Sequence, residues 1–364
     1  MSQNRPIGFK ILSLDSLGQG VSKTENRITF IPKTLPGEEG VATIQSEKKG
    51  VAFARALEIT TRAAERISPE CPHFAQCPSC HYLHAPYERE LAAKKESFEQ
   101  LTRKLPLPGL KVVPAPRRFS YRNRIQLHFD TKLRQLGMLD ARTSTIVPVP
   151  QCLIPVEPIR TELKRLYEND QWLRFVPKGS TRGHVELYLR EGMVLQHWNE
   201  AYASGGFTQV FAEMNEALRL EIQHWYGSAP GEILDLFAGD GNLSNNLPYS
   251  ARLCVDVYTE PKGSDFLSQS LYHKGALQRI RAELGRRNLR PHTLLLDPPR
   301  SGLSDLQAWL EELKPGRVAY VSCDPHTMVR DLLKVEDYRP TGAVLLDFFP
   351  STFHFESLIF LERK

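Results

Sequence analysis

The stretch "EILDLFAGDGNLSNNL", residues 232–247, decides the fold of this 364-residue chain. An apolar run, which predicts a buried β-strand, passes directly into a glycine-rich turn. Gly239 and Gly241 allow the backbone to turn tightly and to approach a ligand closely. The third glycine of a dinucleotide fingerprint is replaced by Ser244. The motif therefore favours a nucleoside ligand such as S-adenosylmethionine over a pyrophosphate, with a plain turn as the alternative.

The same alternation of strand, loop and helix continues downstream. It recurs in "RLCVDVY" (252–258), in "TLLLDPPRSGLSDLQAWLEEL" (293–313) and in "RVAYVSCDPHTMVRDLLKV" (317–335), and a hairpin closes the chain. Apolar strands that alternate with helices predict an α/β fold with a parallel, doubly wound sheet. In such sheets ligands bind outside the carboxyl ends of the strands, so the loops at those ends are the candidate site.

Two of these loops carry carboxylates. Asp256 ends the second strand, where it could accept hydrogen bonds from ribose hydroxyls, and Glu260 is an alternative for that role. Asp297 follows three leucines of a buried strand, where an unpaired carboxylate is costly, and two prolines then hold the backbone rigid. We favour a functional Asp297 over a helix cap.

The third loop contains Cys323, directly after an apolar strand and just before a helix that begins near His326. Because a helix N-terminus stabilises negative charge, this position predicts a lowered thiol pKa and a nucleophile, with a buried core cysteine as the alternative. Cys254 lies inside a strand and is predicted to be core. Glu356 lies in the apolar "FHFESLIF", where a raised pKa would suit a general base.

The first two hundred residues have a different pattern. Residues 8–60 read as short strands separated by turns, which predicts a small β-barrel that serves either as an oligonucleotide platform or as a structural appendage. Residues 123–198 contain strand-like runs and one helical stretch, which predicts an antiparallel middle region. Between His81 and Gln135 twelve Lys and Arg face five Asp and Glu, a net charge of +7. This excess can bind phosphates, or it can form a solvated helix face.

Six cysteines are too few and too unevenly spaced for a disulfide scaffold. Three of them, Cys71, Cys77 and Cys80, fall in the ten residues "CPHFAQCPSC", a spacing that suggests a metal site or catalysis. The chain has no apolar run of eighteen residues and no charged-then-apolar leader. We therefore expect a cytoplasmic protein with no membrane partner.

Four motifs together resemble the RNA (uracil-5-)-methyltransferase family: "DLFAGDGN", "DPPR", "SCDP" and "HFE", in this order. The cysteine run, with the remote "PVPQCLIP", resembles the ribosomal RNA branch of that family. The resemblance implies that Cys71, Cys77, Cys80 and Cys152 hold a 4Fe–4S cluster, although four thiolates also suit zinc. It further implies an OB-like TRAM barrel over residues 1–65, an iron–sulfur and RNA-binding middle domain over 66–204, and a Rossmann-like methyltransferase domain over 205–364.

The implied activity is methylation of carbon 5 of a uridine in 23S ribosomal RNA, with Cys323 as the nucleophile and Glu356 as the base. The residues that match cofactor contacts of the family are Gln209, Phe237, Gly239, Asn242 and Asp297, and Asp256 stands for its adenosine-binding acid. The chain departs from the family pattern at Phe211, Tyr258 and Gly275. Two alternatives are the same reaction on transfer RNA and a non-catalytic RNA-binding iron–sulfur protein with a decayed cofactor site. We expect a monomer.

Overall fold

The computed structural model describes residues 6–24, 27–201, 209–257 and 263–364. These residues divide into two compact units. The first comprises Met1–Lys94, Pro116–Phe211 and Phe349–Phe353, and the second comprises Lys95–Ala115, Ala212–Phe348 and His354–Lys364. The barrel and the middle region thus share the first unit, and the division into three domains stays a prediction. None of the helices in the described ranges is both long and apolar enough to span a membrane.

The first unit begins with a closed five-stranded barrel of strand order β1-β2-β3-β5-β4. Its strands are β1 (Pro6–Leu14), β2 (Gln19–Thr24), β3 (Arg27–Pro32), β4 (Glu39–Lys48) and β5 (Val51–Thr61). Alternate residues of β1, namely Ile7, Phe9 and Ile11, are buried, as the two-residue period of a strand requires. The predicted barrel is confirmed. Helix α1 (Tyr87–Thr102) and the short strand β6 (Lys111–Val113) follow it along the chain.

The middle region forms an antiparallel five-stranded sheet of order β11-β10-β7-β8-β9. The strands are β7 (Arg124–Asp130), β8 (Gln135–Asp140), β9 (Thr145–Val147), β10 (Arg182–Arg190) and β11 (Met193–Trp198). Helix α2 (Glu157–Tyr167) covers the sheet, and a 3-10 helical stretch (Glu168–Arg174) follows. The helix buries Ile159, Leu163 and Leu166, whose helical spacing puts them on one face, in a core shared with the strands.

The second unit contains an eight-stranded sheet of order β14-β13-β12-β15-β16-β18-β17-β6. Its elements are α3 (Ala212–Tyr226), β12 (Gly231–Leu236), β13 (Tyr249–Asp256), β14 (Phe266–Ser268), α4 (Ala276–Arg286), β15 (Thr293–Leu296), α5 (Leu306–Leu313), β16 (Arg317–Ser322), α6 (Pro325–Leu332), β17 (Tyr338–Leu346) and β18 (Glu356–Arg363). The five neighbouring strands β14, β13, β12, β15 and β16 run parallel to one another. Strand β18 is antiparallel to both β16 and β17. The predicted fold class is confirmed.

The order of the parallel strands determines where the loops meet. Strand β12 lies between β13 and β15, so the chain moves outward from β12 first in one direction and later in the other. A ligand crevice forms at such a switch point, outside the carboxyl ends of the strands. The loops that follow β12, β13, β15 and β16 therefore share one edge of the sheet, and they are the loops in which the sequence predicts the site.

Candidate active site

The cysteine and the glutamate lie at the ends of two paired strands. Ser322 of β16 pairs with Ser357 of β18 in an antiparallel ladder, and Cys323 and Glu356 are the next residues along those strands. Burial and then Glu356 raise the pKa of the Cys323 thiol, whereas the charge of Arg300 and a hydrogen bond from it lower this pKa. Arg300, Cys323 and Glu356 therefore form one interacting group, although fifty-five residues of sequence lie between the first and the last.

The expectation of a lowered thiol pKa is wrong. Burial, the Glu356 carboxylate and Asp297 together raise the pKa of Cys323 to about 12. The side chain of Asp324 is the N-cap of α6 and accepts a hydrogen bond from the backbone N–H of His326. A carboxylate thus occupies the helix end that would otherwise stabilise a thiolate. The thiol is protonated at neutral pH, so a base must remove its proton before it can attack.

Two carboxyl groups near Cys323 can hold a proton at neutral pH. Glu356 is 6% exposed, its Oε2 has no hydrogen-bond partner among the described residues, and burial together with Asp297 raises its pKa well above the ordinary value. Burial, with a smaller effect of Asp256, raises the pKa of Asp297 to about 7. Groups whose pKa lies near or above the working pH are suited to general acid–base catalysis.

The loop that contains Asp297 is braced from α6, the helix that follows Cys323. Asp331 is fully buried and accepts hydrogen bonds from the backbone N–H of Leu303 (2.7 Å) and from the Tyr320 hydroxyl (2.8 Å). Gly302 has φ 68°, and a Cβ there would overlap the Asp331 carboxylate. Asp331 is not among the residues predicted from the sequence. The signal that could have identified it is the position of an acid between the apolar Met328 and Leu332, on the buried face of α6.

The glycine-rich loop is held by side chains at both of its ends. The N–H of Gly239 donates to Asp256 Oδ2 (2.8 Å), and Asp256 Oδ1 accepts from the N–H of Val257 (2.6 Å). Asn242 and Asn215 of α3 exchange two amide hydrogen bonds of 2.9 Å. Phe237 adopts φ 59°, a strained conformation for a residue other than glycine, which is typical of functional loops.

The acid that ends β13 thus ties its strand to the glycine-rich loop, and its role toward ribose stays a prediction. Tyr258 and the alternative acid Glu260 lie outside the described residues. Gly275, one of the departures from the family pattern, is the N-cap of α4 with φ 89°, a conformation that favours glycine.

The predicted cofactor residue Gln209 belongs to the first unit. Its backbone carbonyl accepts a hydrogen bond from the Asn123 amide (3.0 Å). Phe211, two residues on, is fully buried and stacks on Tyr121 at 4.6 Å between ring centroids. Phe211 is therefore a core residue, and the role of Gln209 toward a cofactor stays a prediction.

Comparison with known proteins gives consistent results. The family model "tRNA (Uracil-5-)-methyltransferase" matches residues 262–364, the region that contains Asp297, Cys323 and Glu356. The chain is 27% identical to the 23S rRNA (uracil(1939)-C(5))-methyltransferase RlmD of Shewanella sp. (strain MR-4), over 97% of this chain and 95% of that protein. It is 26% identical to RlmD of Shewanella woodyi, over 98% and 96%. The chain is thus similar over nearly its whole length to RNA (uracil-5-)-methyltransferases.

A solved structure supports the fold of this chain. The Pyrococcus abyssi tRNA (uracil-54, C5)-methyltransferase, solved in complex with S-adenosyl-L-homocysteine, aligns with a TM-score of 0.65 at 19% sequence identity. The alignment covers 97% of this chain and 99% of that one. The likeness thus extends over the barrel, the middle region and the parallel sheet.

The four cysteines predicted to bind a cluster lie near one another in the first unit. Cys77 and Cys80 are buried, and Cys71 and Cys152 are half-buried. Burial and the other three thiols raise the pKa of Cys80 well above its usual range, and burial raises the pKa of Cys152 to about 12. Within the described ranges no three or more His, Cys, Asp or Glu side chains are arranged to hold a metal ion. The cluster ligands therefore stay a prediction.

A cation that was not predicted from the sequence lies beside these cysteines. Lys33, which follows β3 of the barrel, donates through Nζ to the backbone carbonyls of Cys77 (2.8 Å) and Phe74. Burial lowers the pKa of Lys33, and the Cys77 and Cys80 thiols oppose that shift. The ammonium group lowers the energetic cost of negative charge on these cysteines, as thiolate ligands require.

The net charge of +7 between His81 and Gln135 overstates the charge available to RNA. At least seven of its twelve basic residues form ion pairs with acids, and Lys94 and Arg124 are almost fully buried. The pairs are Arg89–Glu65, Lys94–Glu90, Lys95–Glu99, Lys111–Glu221, Arg118–Glu90, Arg124–Glu186 and Arg134–Asp170. Several of these cations therefore already have an acidic partner, and RNA binding by this stretch stays a prediction.

Proposed function

We propose that this enzyme transfers a methyl group from S-adenosylmethionine to carbon 5 of a uridine in 23S ribosomal RNA, through a covalent adduct with Cys323. The proposal rests chiefly on one observation. A thiol, two carboxyl groups of raised pKa and a guanidinium (Cys323, Glu356, Asp297 and Arg300) influence one another at the carboxyl edge of a parallel sheet. Similarity to RNA (uracil-5-)-methyltransferases supports the reaction class.

The first step forms a bond between sulfur and carbon 6. Carbon 5 of uracil is a weak nucleophile, and addition of a thiolate to carbon 6 pushes an electron pair toward carbon 5 and oxygen 4 as an enolate. Because the pKa of Cys323 is about 12, its proton must first pass to a base. Asp297, whose pKa is about 7, is partly ionised at neutral pH and can accept it. Arg300 lowers the pKa of the thiol and so favours the attacking form.

The later steps regenerate the thiolate. S-adenosylmethionine, a substrate, supplies the methyl group to carbon 5, which then carries both the methyl group and its original hydrogen. Glu356, once its own proton has left to solvent, takes that hydrogen as a proton. Its raised pKa makes its carboxylate a strong base, as a weakly acidic C–H bond requires. The carbon 5–carbon 6 double bond forms again, and the bond to Cys323 Sγ breaks.

Loss of tritium from RNA labelled at carbon 5 of uracil tests the covalent route. We expect Cys323→Ala to abolish release and Cys254→Ala, a buried cysteine in β13, to retain it. RNA that contains 5-fluorouridine should trap the wild-type protein as a methylated adduct, because fluorine cannot leave as a proton. Tritium release by Cys323→Ala at the wild-type rate would refute the assignment of the nucleophile.

The substrate RNA is the second part of the proposal. The relatives that match nearly the full length are named for 23S rRNA, which favours ribosomal RNA over transfer RNA. Mapping of 5-methyluridine in both RNAs from a deletion strain tests this choice. Loss of the base from transfer RNA alone would favour the transfer RNA alternative. Failure of the purified protein to bind S-adenosylmethionine in calorimetry would favour the non-catalytic one.

We also propose that Cys71, Cys77, Cys80 and Cys152 bind a 4Fe–4S cluster that joins residues 71–80 to residue 152. Support comes from Cys71, Cys80 and Cys152, whose pKa values are raised by burial and by neighbouring thiols of the group, beside the Lys33 cation. Zinc is the alternative. Anaerobic purification should give a coloured protein that contains iron and acid-labile sulfide, and Cys152→Ser should lose both. A colourless protein that contains zinc would exclude the cluster. We further propose that the protein is a cytoplasmic monomer, which sedimentation tests.

A further inference from the structure

The turn after β14 brings an aromatic side chain to the edge of the sheet that holds the glycine-rich loop. Ser268, the last residue of β14, pairs with Asp256 in the parallel ladder. Gln269 continues this contact, because its N–H donates to the carbonyl of Asp256 (2.7 Å). The Gln269 side chain is held in turn by Arg279 (3.2 Å). These hydrogen bonds hold the turn that precedes Tyr272.

Tyr272 spans two loops of the candidate site. Its hydroxyl shares a hydrogen bond with Ser301 Oγ (2.8 Å) and donates to the carbonyl of Gly302 (2.9 Å), in the loop that follows Asp297. Its ring lies against Phe237, at 5.6 Å between centroids and 47° between planes. Phe237 belongs to the glycine-rich loop. A single side chain thus connects the loop after β12 to the loop after β15.

Tyr272 is also 53% exposed, which is unusual for a side chain held at both ends. The bonded hydroxyl and the neighbouring ring restrict its rotamers, so little entropy is lost when a ligand packs on the open part of the ring. Flat aromatic surfaces of this kind stack on nucleobases. In an open α/β sheet the nucleoside part of a ligand lies over the carboxyl ends of the strands, where Tyr272 lies.

We propose that Tyr272, together with Phe237, forms the aromatic platform on which the adenine of S-adenosylmethionine stacks. The inference rests on the proposed function, because it concerns how that substrate is held. The competing explanation is purely structural, since Tyr272 could serve only to brace Ser301 and Gly302. The two explanations differ in the response of nucleoside affinity to loss of the ring and to loss of the hydroxyl.

Calorimetric titration with S-adenosylhomocysteine and with 5′-methylthioadenosine tests the proposal. The variants are Tyr272→Ala, which removes the ring, and Tyr272→Phe, which removes only the hydroxyl. Tyr249→Ala is the control, because Tyr249 is a partly exposed tyrosine of the same unit at the amino end of β13. We expect Tyr272→Ala to weaken binding by about 5- to 100-fold, the range of base–aromatic stacking, and by the same factor for both ligands. Tyr272→Phe and Tyr249→Ala should stay within about threefold of the wild type.

The outcomes separate this inference from the proposed function. Equal Kd values for Tyr272→Ala and the wild type overturn the inference and leave the methyltransferase assignment intact. Equal loss of affinity in Tyr272→Phe and Tyr272→Ala, with a lowered Tm in both, assigns the residue to the structural brace and also overturns the inference. A wild-type protein that binds neither ligand overturns the proposed function, and the inference falls with it.

Discussion

The buried Asp235 allows a quantitative test of the electrostatics below the glycine-rich loop. It is the penultimate residue of β12 and is fully buried. Its Oδ2 accepts a hydrogen bond of 2.6 Å from the Ser244 hydroxyl, and its Oδ1 has no partner among the described residues. Burial raises the pKa of Asp235 from 3.8 to about 7, because ionisation there would put a charge in an apolar interior.

The sign of the effect on stability follows from this shift. Above about pH 4 the unfolded chain has lost the Asp235 proton, whereas the folded chain keeps it until the pH reaches about 7. The free energy of unfolding therefore falls as the pH rises through this window. A difference of about three pKa units corresponds to about 4 kcal/mol in total, of which about 2 to 3 kcal/mol falls between pH 5 and pH 8.

Asp235→Asn removes the titrating group and keeps the side-chain shape. Any constant cost of the amide cancels when the difference between variant and wild type is compared across pH. We expect Asp235→Asn to gain about 2 to 3 kcal/mol relative to the wild type between pH 5 and pH 8, measured by urea unfolding at each pH. Glu283→Gln is the control, because Arg286 and Arg287 lower the pKa of Glu283 to about 2, below this window.

A stability difference that does not change between pH 5 and pH 8 would refute the reasoning. In that case Asp235 would be ionised in the folded protein despite its burial, and the raised pKa values of the neighbouring carboxyl groups would lose support. If Glu283→Gln gained as much free energy of unfolding between pH 5 and pH 8 as Asp235→Asn, the gain would instead be a general effect of charge removal.

Three further predictions concern other parts of the chain. Alkylation of Cys323 by iodoacetamide should accelerate with pH and have its midpoint above 9, because the thiol pKa is raised, and a midpoint near 7 would contradict this. Gly302→Ala should lower the free energy of unfolding by about 1 to 3 kcal/mol and slow methyl transfer, whereas Gly285→Ala, in open space within α4, should not destabilise. Glu90→Gln should destabilise by about 3 to 5 kcal/mol, because it removes a buried negative charge that both Lys94 and Arg118 contact. Exposed Glu88→Gln should change stability by less than about 0.5 kcal/mol in urea unfolding.

Much of the fold and of the candidate site follows from local sequence. The alternation of apolar and polar residues predicted the barrel and the middle sheet, because a strand with one buried face shows this two-residue period. The carboxyl ends of parallel strands share one edge, so motifs far apart in sequence could be assigned to one site before the structure was known. Strands β6 and β14 were missed, since three residues are too few to display a period.

The sequence by itself therefore determined the fold class, the order of the elements and the chemical types gathered at the strand ends. The tertiary structure alone decided the pKa of Cys323, the bracing of Gly302 by Asp331, and the pairing of Glu90 with Lys94 and Arg118. The physical reason is the distance along the chain between the groups that interact. Backbone periodicity depends on neighbours along the chain, whereas desolvation and ion pairing depend on groups that only folding brings within a few ångströms.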